Sequence, residues 1–519
     1  MIERLAAGAD GLAMVEPAAR WRRWLWAKDR TVSRRELARR VRAVYTGLRS
    51  KGLRPGAVVL YAVRPGIDSI VLMSALLLAG TNVVALDPGV GEQVFGERLK
   101  ALMPTWVVAE AVVFAAATRG PFRSVLRRFG VEVPNLHVPG ATLVCVGPQW
   151  PWVPEAIAYA ALVAHQHADG PHDVGLDPRR DVLTVFTSGT TSMPKAVLHS
   201  ATSLGAAIAI IARHMALTPH DVVYSSQTHQ MLASLLAGSV CIVPALQPNA
   251  GRFIADVARY RATHVFAVPF EMAAILRTLE RRGALLPPKL ATIVLGSAPV
   301  LPRFLVRLRA ICAPQTEIWC AYAMTEMFPA ALVESREKLA YDGEGDLVGK
   351  PLDEVRAVLA NDGELLVQGP HRFSRYLGQA ATQLHATGDL ARFDDQGRIV
   401  LLGRKKDMII RGHYNIYPSL YEPRIAAIDG VESCALVGVP DEADSDERVV
   451  LAVQPKAGVD PVALRKRIEA QIRDGKGAID PFARPDAVIF CDMPHSGRSF
   501  KLDRLRLVAL AAEALARAG

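Results

Sequence analysis

Short runs of valine, isoleucine and leucine, each handing over to a segment of helical periodicity, constrain this chain more than any other feature. AVVLYAV, TNVVAL, TWVVAE, ATLVCVG, DVLTVFT, GSVCIVP, HVFAVP and TIVLGSA are each long enough for a strand and apolar on both faces. Helical patterns occupy residues 254–261, 271–282 and 301–311. Strands that alternate with helices predict an α/β protein whose parallel-rich sheets are covered by helices. At 519 residues the chain is too long for one core. Near residue 400 the pattern changes. ATGDLARFDDQGRIVLLGR reads as two strands around a tight Asp-Gln-Gly turn, and Lys405, Lys406 and Asp407 form a charged junction. Strand, helix, strand, strand, helix and strand follow. This places a large N-terminal domain over residues 1–405 and a small C-terminal α+β domain over 406–519, about 110 residues in size.

Composition removes several function classes. The net charge is +10, but Lys and Arg are scattered along the chain and aromatics make up 6% of it. A nucleic-acid surface needs a concentrated basic stripe with interleaved aromatics, so no nucleic-acid partner is expected. Cys145, Cys241, Cys312, Cys320, Cys434 and Cys491 form no CxxC pair and no zinc spacing with histidine. The N-terminus carries acidic residues and no apolar core of the signal-peptide kind. Free thiols in a reducing cytoplasm are expected. Residues 69–86, SIVLMSALLLAGTNVVAL, carry no charge, yet Gly80, Thr81 and Asn82 interrupt them. They read as a buried helix, a turn and a buried strand, and no transmembrane segment is expected.

The sharpest chemical signal is VFTSGTTSMPKAVLH at residues 185–199. An apolar strand runs into Thr187, Ser188, Gly189, Thr190, Thr191 and Ser192, then Pro194 and Lys195, before a helix expected from about Thr202. Glycine lets a backbone approach closely, and hydroxyls with an ammonium meet charge, so the segment suits a polyphosphate. GxxxxGK[ST] is absent, which excludes the common P-loop. An ordinary Ser/Thr-rich turn is the plainer alternative.

TSGTTSMPK resembles the phosphate loop TSG[ST]TGxPKG of the adenylate-forming superfamily: acyl-CoA synthetases, peptide-synthetase adenylation domains and luciferase. Ser192 and Ala196 stand where that pattern has glycine. Further matches follow in order. Gly296-Ser297-Ala298-Pro299 is similar to GGAP, a turn after a strand that lies against adenine. Tyr322-Ala323-Met324-Thr325-Glu326 is similar to YGxTE, which implies a tyrosine near the base, a threonine at the α-phosphate and Glu326 on Mg²⁺. Gly363-Glu364-Leu365 with Gly369-Pro370 matches another family segment. Thr387-Gly388-Asp389-Leu390 matches TGDL, implying Asp389 on the ribose. Gly403-Arg404-Lys405-Lys406-Asp407 matches GRxKD, implying Arg404 near the ribose and Lys406 at a hinge. Residues 412–418, GHYNIYP, match a loop lining a thiol tunnel that Gly412 keeps open. Lys501, followed by Leu-Asp-Arg, resembles the lysine of the family's C-terminal PxTxxGK, with Phe500 in place of its glycine and Arg498 as the second candidate.

The resemblance implies ATP-dependent activation of a carboxylic acid as acyl-AMP, with Mg²⁺. It also implies rotation of a mobile C-terminal domain and transfer to the thiol of CoA or of carrier-protein phosphopantetheine, so an acyl carrier protein is a possible partner. After Asp221 the family carries an aromatic-His pair. His229 is either that histidine or a polar residue at a helix start. An acid pocket is expected around residues 227–234, 268–273 and 324–328. These are mostly apolar with no aspartate placed for an ammonium, which favours an acyl or aryl acid over an amino acid. ALDPGVG at 85–91 and the Arg-rich stretch after it are similar to β-lactone synthetases, which close a 3-hydroxy acid on itself without a thiol. A non-catalytic ATP and acyl binder is the third alternative.

Overall fold

The computed structural model describes residues 11–18, 28–85, 92–117, 135–148, 153–165, 177–186, 195–244, 249–411, 414–441, 446–473, 479, 483–496 and 501–518. Every apolar run named above contains a strand. Two eight-stranded sheets result. The first runs Met327–Glu334, Glu317–Met324, Thr292–Leu295, His264–Ala267, Val222–Tyr224, Val240–Ile242, Leu12–Glu16, Arg30–Ser33. Its inner pairings are parallel and both edges are antiparallel. The second is parallel from Asp181–Phe186 to Ile157–Ala158, with Asn82–Ala85, Val58–Ala62, Trp106–Glu110 and Thr142–Val146 between them. Parallel strands need crossovers that cover both faces, and this is why the runs are apolar throughout.

The largest core lies between these sheets and is built mainly on helices. Leu37, Val41, Val44 and Leu48 of helix Arg34–Ser50 pack with Ile67, Ile70, Val71 and Leu76 of helix Ile67–Leu78. The uncharged stretch at 69–86 is therefore the expected helix, turn and strand. No helix among the described residues is long and apolar enough to cross a membrane. The six cysteines are free thiols.

The helix expected from about Thr202 begins at Ala201 and runs to His214. A strand that the sequence reading did not foresee precedes it: Ala196–Ser200 pairs antiparallel with Asp181–Phe186. The buried sequence AVLHS lies second from the sheet edge, which the short strand Arg375–Tyr376 occupies. Ser200 caps the helix by accepting from the Ser203 amide at 3.1 Å.

A third, antiparallel sheet of five strands ends the N-terminal region. In it His385–Phe393 pairs with Ile399–Arg404 around the Asp-Gln-Gly turn, where Gly397 stands at φ +71°. A 3₁₀ turn, Lys405–Asp407, leads into the C-terminal elements. Val431–Asp441, Asp446–Pro455 and Ala487–Phe490 make a three-stranded sheet with an apolar cluster on each face. The terminal helix Arg504–Ala518, which the sequence pattern had not suggested, supplies Leu507 and Ala511 to one of them.

Direct bonds cross between the two regions among the described residues. Arg303, on helix Pro302–Ala310, donates to the Ala426 carbonyl at 2.6 Å and the Glu432 carbonyl at 3.3 Å. Arg424 reaches Glu344 at 3.2 Å. Ser419 donates to the Leu402 carbonyl. Each such bond contributes about 1 kcal/mol net. We expect Arg303→Ala to accelerate trypsin cleavage at Lys405 and Lys406 by about tenfold as the C-terminal region loosens, read by mass spectrometry. An unchanged rate would show that Arg303 has no share in docking the two regions.

Candidate active site

A cleft of about 2720 Å³ opens where the three N-terminal sheets meet the C-terminal region. Its walls come from strand ends. Tyr322, Ala323 and Met324 close the strand Glu317–Met324, and Thr325-Glu326 is the two-residue turn into its antiparallel neighbour. Gly296, Ser297, Ala298 and Pro299 follow the strand Thr292–Leu295. Ser297 stands at φ +70°, a conformation that glycine adopts more readily, so backbone strain is held at this turn. Lys195, Asp389, Arg404, Lys406 and Lys501 line the same cleft. Thr187, Ser188, Gly189, Thr190, Thr191 and Ser192 lie outside the described residues, as do Gly412, Arg498 and Phe500.

Asp389 is the most engaged carboxylate. Sheet register sets it opposite Arg404, whose Nε meets Oδ1 at 2.6 Å. The Tyr322 hydroxyl donates to Oδ2 at 2.5 Å. Thr387 Oγ1 accepts from the Asp389 amide at 3.0 Å. Burial raises the Asp389 pKa, while Arg404 and the Tyr322 hydroxyl pull it down. Burial, and then the Asp389 charge, push the Tyr322 phenol well up. A base-side aromatic and a ribose-side carboxylate are thus joined through one hydrogen bond.

Glu326 forms the second centre. Its Oε1 accepts from the Tyr376 hydroxyl at 2.7 Å, and its carbonyl accepts from the Phe373 amide at 2.7 Å. Lys195 Nζ stands 4.8 Å above the Tyr376 ring. His199 is wholly buried, and its Nε2 meets the Thr325 carbonyl at 2.9 Å, which fixes the turn from behind. Burial lowers the His199 pKa, and since Nε2 faces a carbonyl oxygen it is the donor. Sequence reasoning singled out neither Tyr376 nor His199 as a site residue. Tyr376 meets Glu326 across 50 residues, and no local spacing announces such a contact.

Lys501 approaches from the C-terminal region on a two-stranded ribbon, His495–Ser496 with Lys501–Leu502. Its pKa is lowered by loss of water and by Arg404, with Asp389 and Glu326 acting in the opposite sense. Arg504 explains the Leu-Asp-Arg that follows. It holds Glu422 at 2.7 Å and Asp407 at 3.4 Å, so the ribbon is tied to the junction.

The remaining wall mixes polar and apolar side chains and extends beyond the expected segments. Residues 227–230 and Leu232 line it, with Val268, Glu271, 324–326 and Phe328. Met73 and Leu77 of helix Ile67–Leu78 join them, with Leu204 and Ile211 of helix Ala201–His214 and with Val294, Trp319 and Ala321. His229 faces both Phe266 and Phe328 at 5.8 and 5.6 Å between ring centroids. Phe328 also meets His199 at 5.4 Å. His229 is therefore more than a polar helix start: it is built into the cleft wall.

A two-region α/β fold enclosing a cleft of this kind is the architecture of the adenylate-forming enzymes. The sequence matches the AMP-binding enzyme family over residues 13–377 and the AMP-binding enzyme C-terminal domain over residues 421–501, and the chain belongs to that family of ligases. It is similar to an olefin β-lactone synthetase of Stenotrophomonas maltophilia (strain K279a), 27% identical over 459 residues, 80% of this chain and 79% of the relative. A feruloyl-CoA synthase of an Amycolatopsis species is 29% identical over 440 residues, 78% of this chain and 80% of the relative. The fold matches that of o-succinylbenzoate coenzyme A synthetase from Bacillus subtilis, solved with ATP and a magnesium ion. The TM-score is 0.74 at 18% identity, covering 98% of each chain.

Burial lowers the His229 pKa to about 4, below the ordinary value of 6.5, so folding favours the neutral ring. The stability it contributes is complete above pH 6.5 and is lost as pH falls toward 4. It amounts to roughly 3 kcal/mol at most. We expect the His229 imidazole resonance to titrate near pH 4, and His229→Phe to reduce the acid sensitivity of unfolding between pH 6.5 and 4. A midpoint near 6.5 would show a ring open to bulk water.

Proposed function

We propose that the protein activates an apolar acyl or aryl carboxylic acid as its acyl-adenylate, releasing pyrophosphate. It then passes the acyl group to the thiol of CoA or of carrier-protein phosphopantetheine. One observation carries this reading: a single cleft brings the charged groups Lys501, Arg404, Asp389 and Glu326 together with apolar side chains such as Met73, Leu77, Leu204, Ile211 and Phe328.

The chemistry follows from the charges. A carboxylate is a poor acylating agent because oxide leaves badly. Attack of its oxygen on the α-phosphorus of ATP forms a P–O bond, and the bond to pyrophosphate breaks. Negative charge grows on the transferring phosphoryl group, and no side-chain nucleophile is required. In this reading Lys501 neutralises that charge, the Thr325-Glu326 turn faces the phosphates, and Asp389 with Arg404 orients the ribose. Tyr322 and residues 296–299 flank the base. Lys195, with residues 187–191, is assigned to the polyphosphate.

Glu326 is the residue that would hold Mg²⁺. No cluster of three or more His, Cys, Asp or Glu suited to a metal occurs among the described residues. Tyr376 takes up one carboxylate oxygen and a carboxylate has acceptor sites to spare, so the donor set fits a magnesium ion shared with substrate phosphates. When bound, the ion supplies charge neutralisation on the leaving pyrophosphate.

Rotation of the C-terminal domain about Lys406 would withdraw Lys501 and bring Gly412 and its loop to the thiol path. The kinship with a β-lactone synthetase supports a second reading. There the adenylate of a 3-hydroxy acid closes on its own hydroxyl and no thiol enters.

ATP–pyrophosphate exchange over fatty, 3-hydroxy, aryl and amino acids tests the reading. We expect exchange with an apolar class. Lys501→Ala should cut it by about 100- to 1,000-fold, far more than Arg498→Ala, while thiolysis of preformed acyl-AMP survives. Lactone product without added thiol would select the second reading. Exchange with no acid, despite ATP binding, would sink both and leave a non-catalytic binder.

A further inference from the structure

Tyr376 touches two of the groups assigned to ATP at once. Its hydroxyl donates to Glu326 Oε1 at 2.7 Å, and Lys195 Nζ lies 4.8 Å from its ring centroid. All three side chains line the cleft. They arrive from different sheets. Glu326 follows the strand Glu317–Met324 of the first sheet, whereas Tyr376 lies on the edge strand Arg375–Tyr376 of the second. That edge strand pairs with Ala196–Ser200, and the register sets Tyr376 opposite Val197, just past Lys195.

The chain around Tyr376 is held on every side. The Ser374 and Leu377 amides donate to the Leu198 and Ala196 carbonyls at 2.7 and 2.9 Å. Arg375 grips Asp181 through two bonds of 3.2 and 2.7 Å. Phe373 gives its amide to the Glu326 carbonyl, and its ring meets the Tyr376 ring at 4.7 Å between centroids. His385 faces the same ring at 6.3 Å. The segment is thus stitched both to the hairpin that carries Lys195 and to the turn that carries Glu326.

A glutamate side chain turns about three torsions, the last of them broad. A hydrogen bond on Oε1 fixes the carboxylate plane and the direction in which its remaining lone pairs point. Magnesium tolerates little departure from octahedral geometry and sheds water reluctantly. A carboxylate oriented beforehand is therefore easier to recruit, and partners of this kind change metal affinity by about 10- to 100-fold. The ring face attracts an ammonium without bringing a counter-charge. One side chain can serve both groups and leave each open to a ligand.

We propose that Tyr376 is a positioning residue for the metal-bound nucleotide: it orients Glu326 for Mg²⁺ and steadies Lys195 for the polyphosphate. The inference rests on the reading that Glu326 and Lys195 serve ATP.

The test measures equilibrium binding of ATP to the full-length protein by calorimetry, over a range of Mg²⁺ and in EDTA. Tyr376→Phe keeps the ring and loses the donor. We expect it to raise the Mg²⁺ concentration that half-maximally tightens ATP binding by about tenfold. Its affinity for ATP in EDTA should stay within about twofold of wild type. Tyr376→Leu should share the metal defect and lose a further two- to fivefold or so in EDTA, because the ring is gone. It also repeats the test if the phenylalanine variant misfolds. In a Glu326→Gln background, Tyr376→Phe should leave the metal dependence unchanged. A mere tie between sheets would instead lower the thermal midpoint and weaken ATP binding equally with and without the metal. That pattern overturns the proposal, as does an undiminished effect of Tyr376→Phe once Glu326 is glutamine. Metal-dependent ATP binding that Tyr376→Phe leaves intact refutes this inference alone. ATP binding that Mg²⁺ never tightens in the wild type refutes the assignment of Glu326 and the inference with it.

Discussion

The contact on which the site depends is the buried carboxylate of Asp389 between the Tyr322 hydroxyl and the Arg404 guanidinium. Tyr322 ends a strand of the first sheet, Asp389 belongs to the third, and Arg404 is the last strand residue before the 3₁₀ turn. One acidic group thus fastens two sheets and the exit to the C-terminal region. A buried carboxylate left unpaired would take up a proton or draw in water. Burial raises its pKa, and its two partners oppose that rise, so the geometry of the cleft follows from where the group can be satisfied.

The cations around it obey the same logic in reverse. Arg404 and Lys406 depress the Lys501 pKa, whereas Asp389 and Glu326 raise it. Like charges converging in a partly dehydrated cleft repel one another. An anionic ligand relieves that repulsion, so a polyphosphate gains more here than from any single lysine on an open surface.

Much of this was legible in the sequence, and the limits have physical causes. Strands such as VVLYA and TIVL announce themselves because burial on both faces leaves an unbroken apolar run. Of the motif residues, Gly296, Tyr322, Glu326, Asp389, Arg404 and Lys501 line one cleft, several of them at or beside strand ends. AVLHS was unreadable as a strand because five residues carry too little periodicity to separate strand from helix start. His229 could not be assigned from its own neighbours, since Phe266 and Phe328 reach it from distant elements. Tyr376, His199 and Arg504 act through long-range pairs that leave no local trace.

The division of contacts at the junction has a consequence for energetics. Arg504 and its partners Asp407 and Glu422 lie on the C-terminal side of Arg404, so they would travel together if that region turned. The bonds that a turn would break include those of Arg303, Arg424 and Ser419, which hold carbonyls or an exposed carboxylate. Contacts of this kind are individually weak, and their ionic members are screened by salt. The arm that carries Lys501 is thus tied more firmly within itself than to its berth. If the region turns as proposed, ionic strength would act on how long the lysine stays and not on the folding of either region.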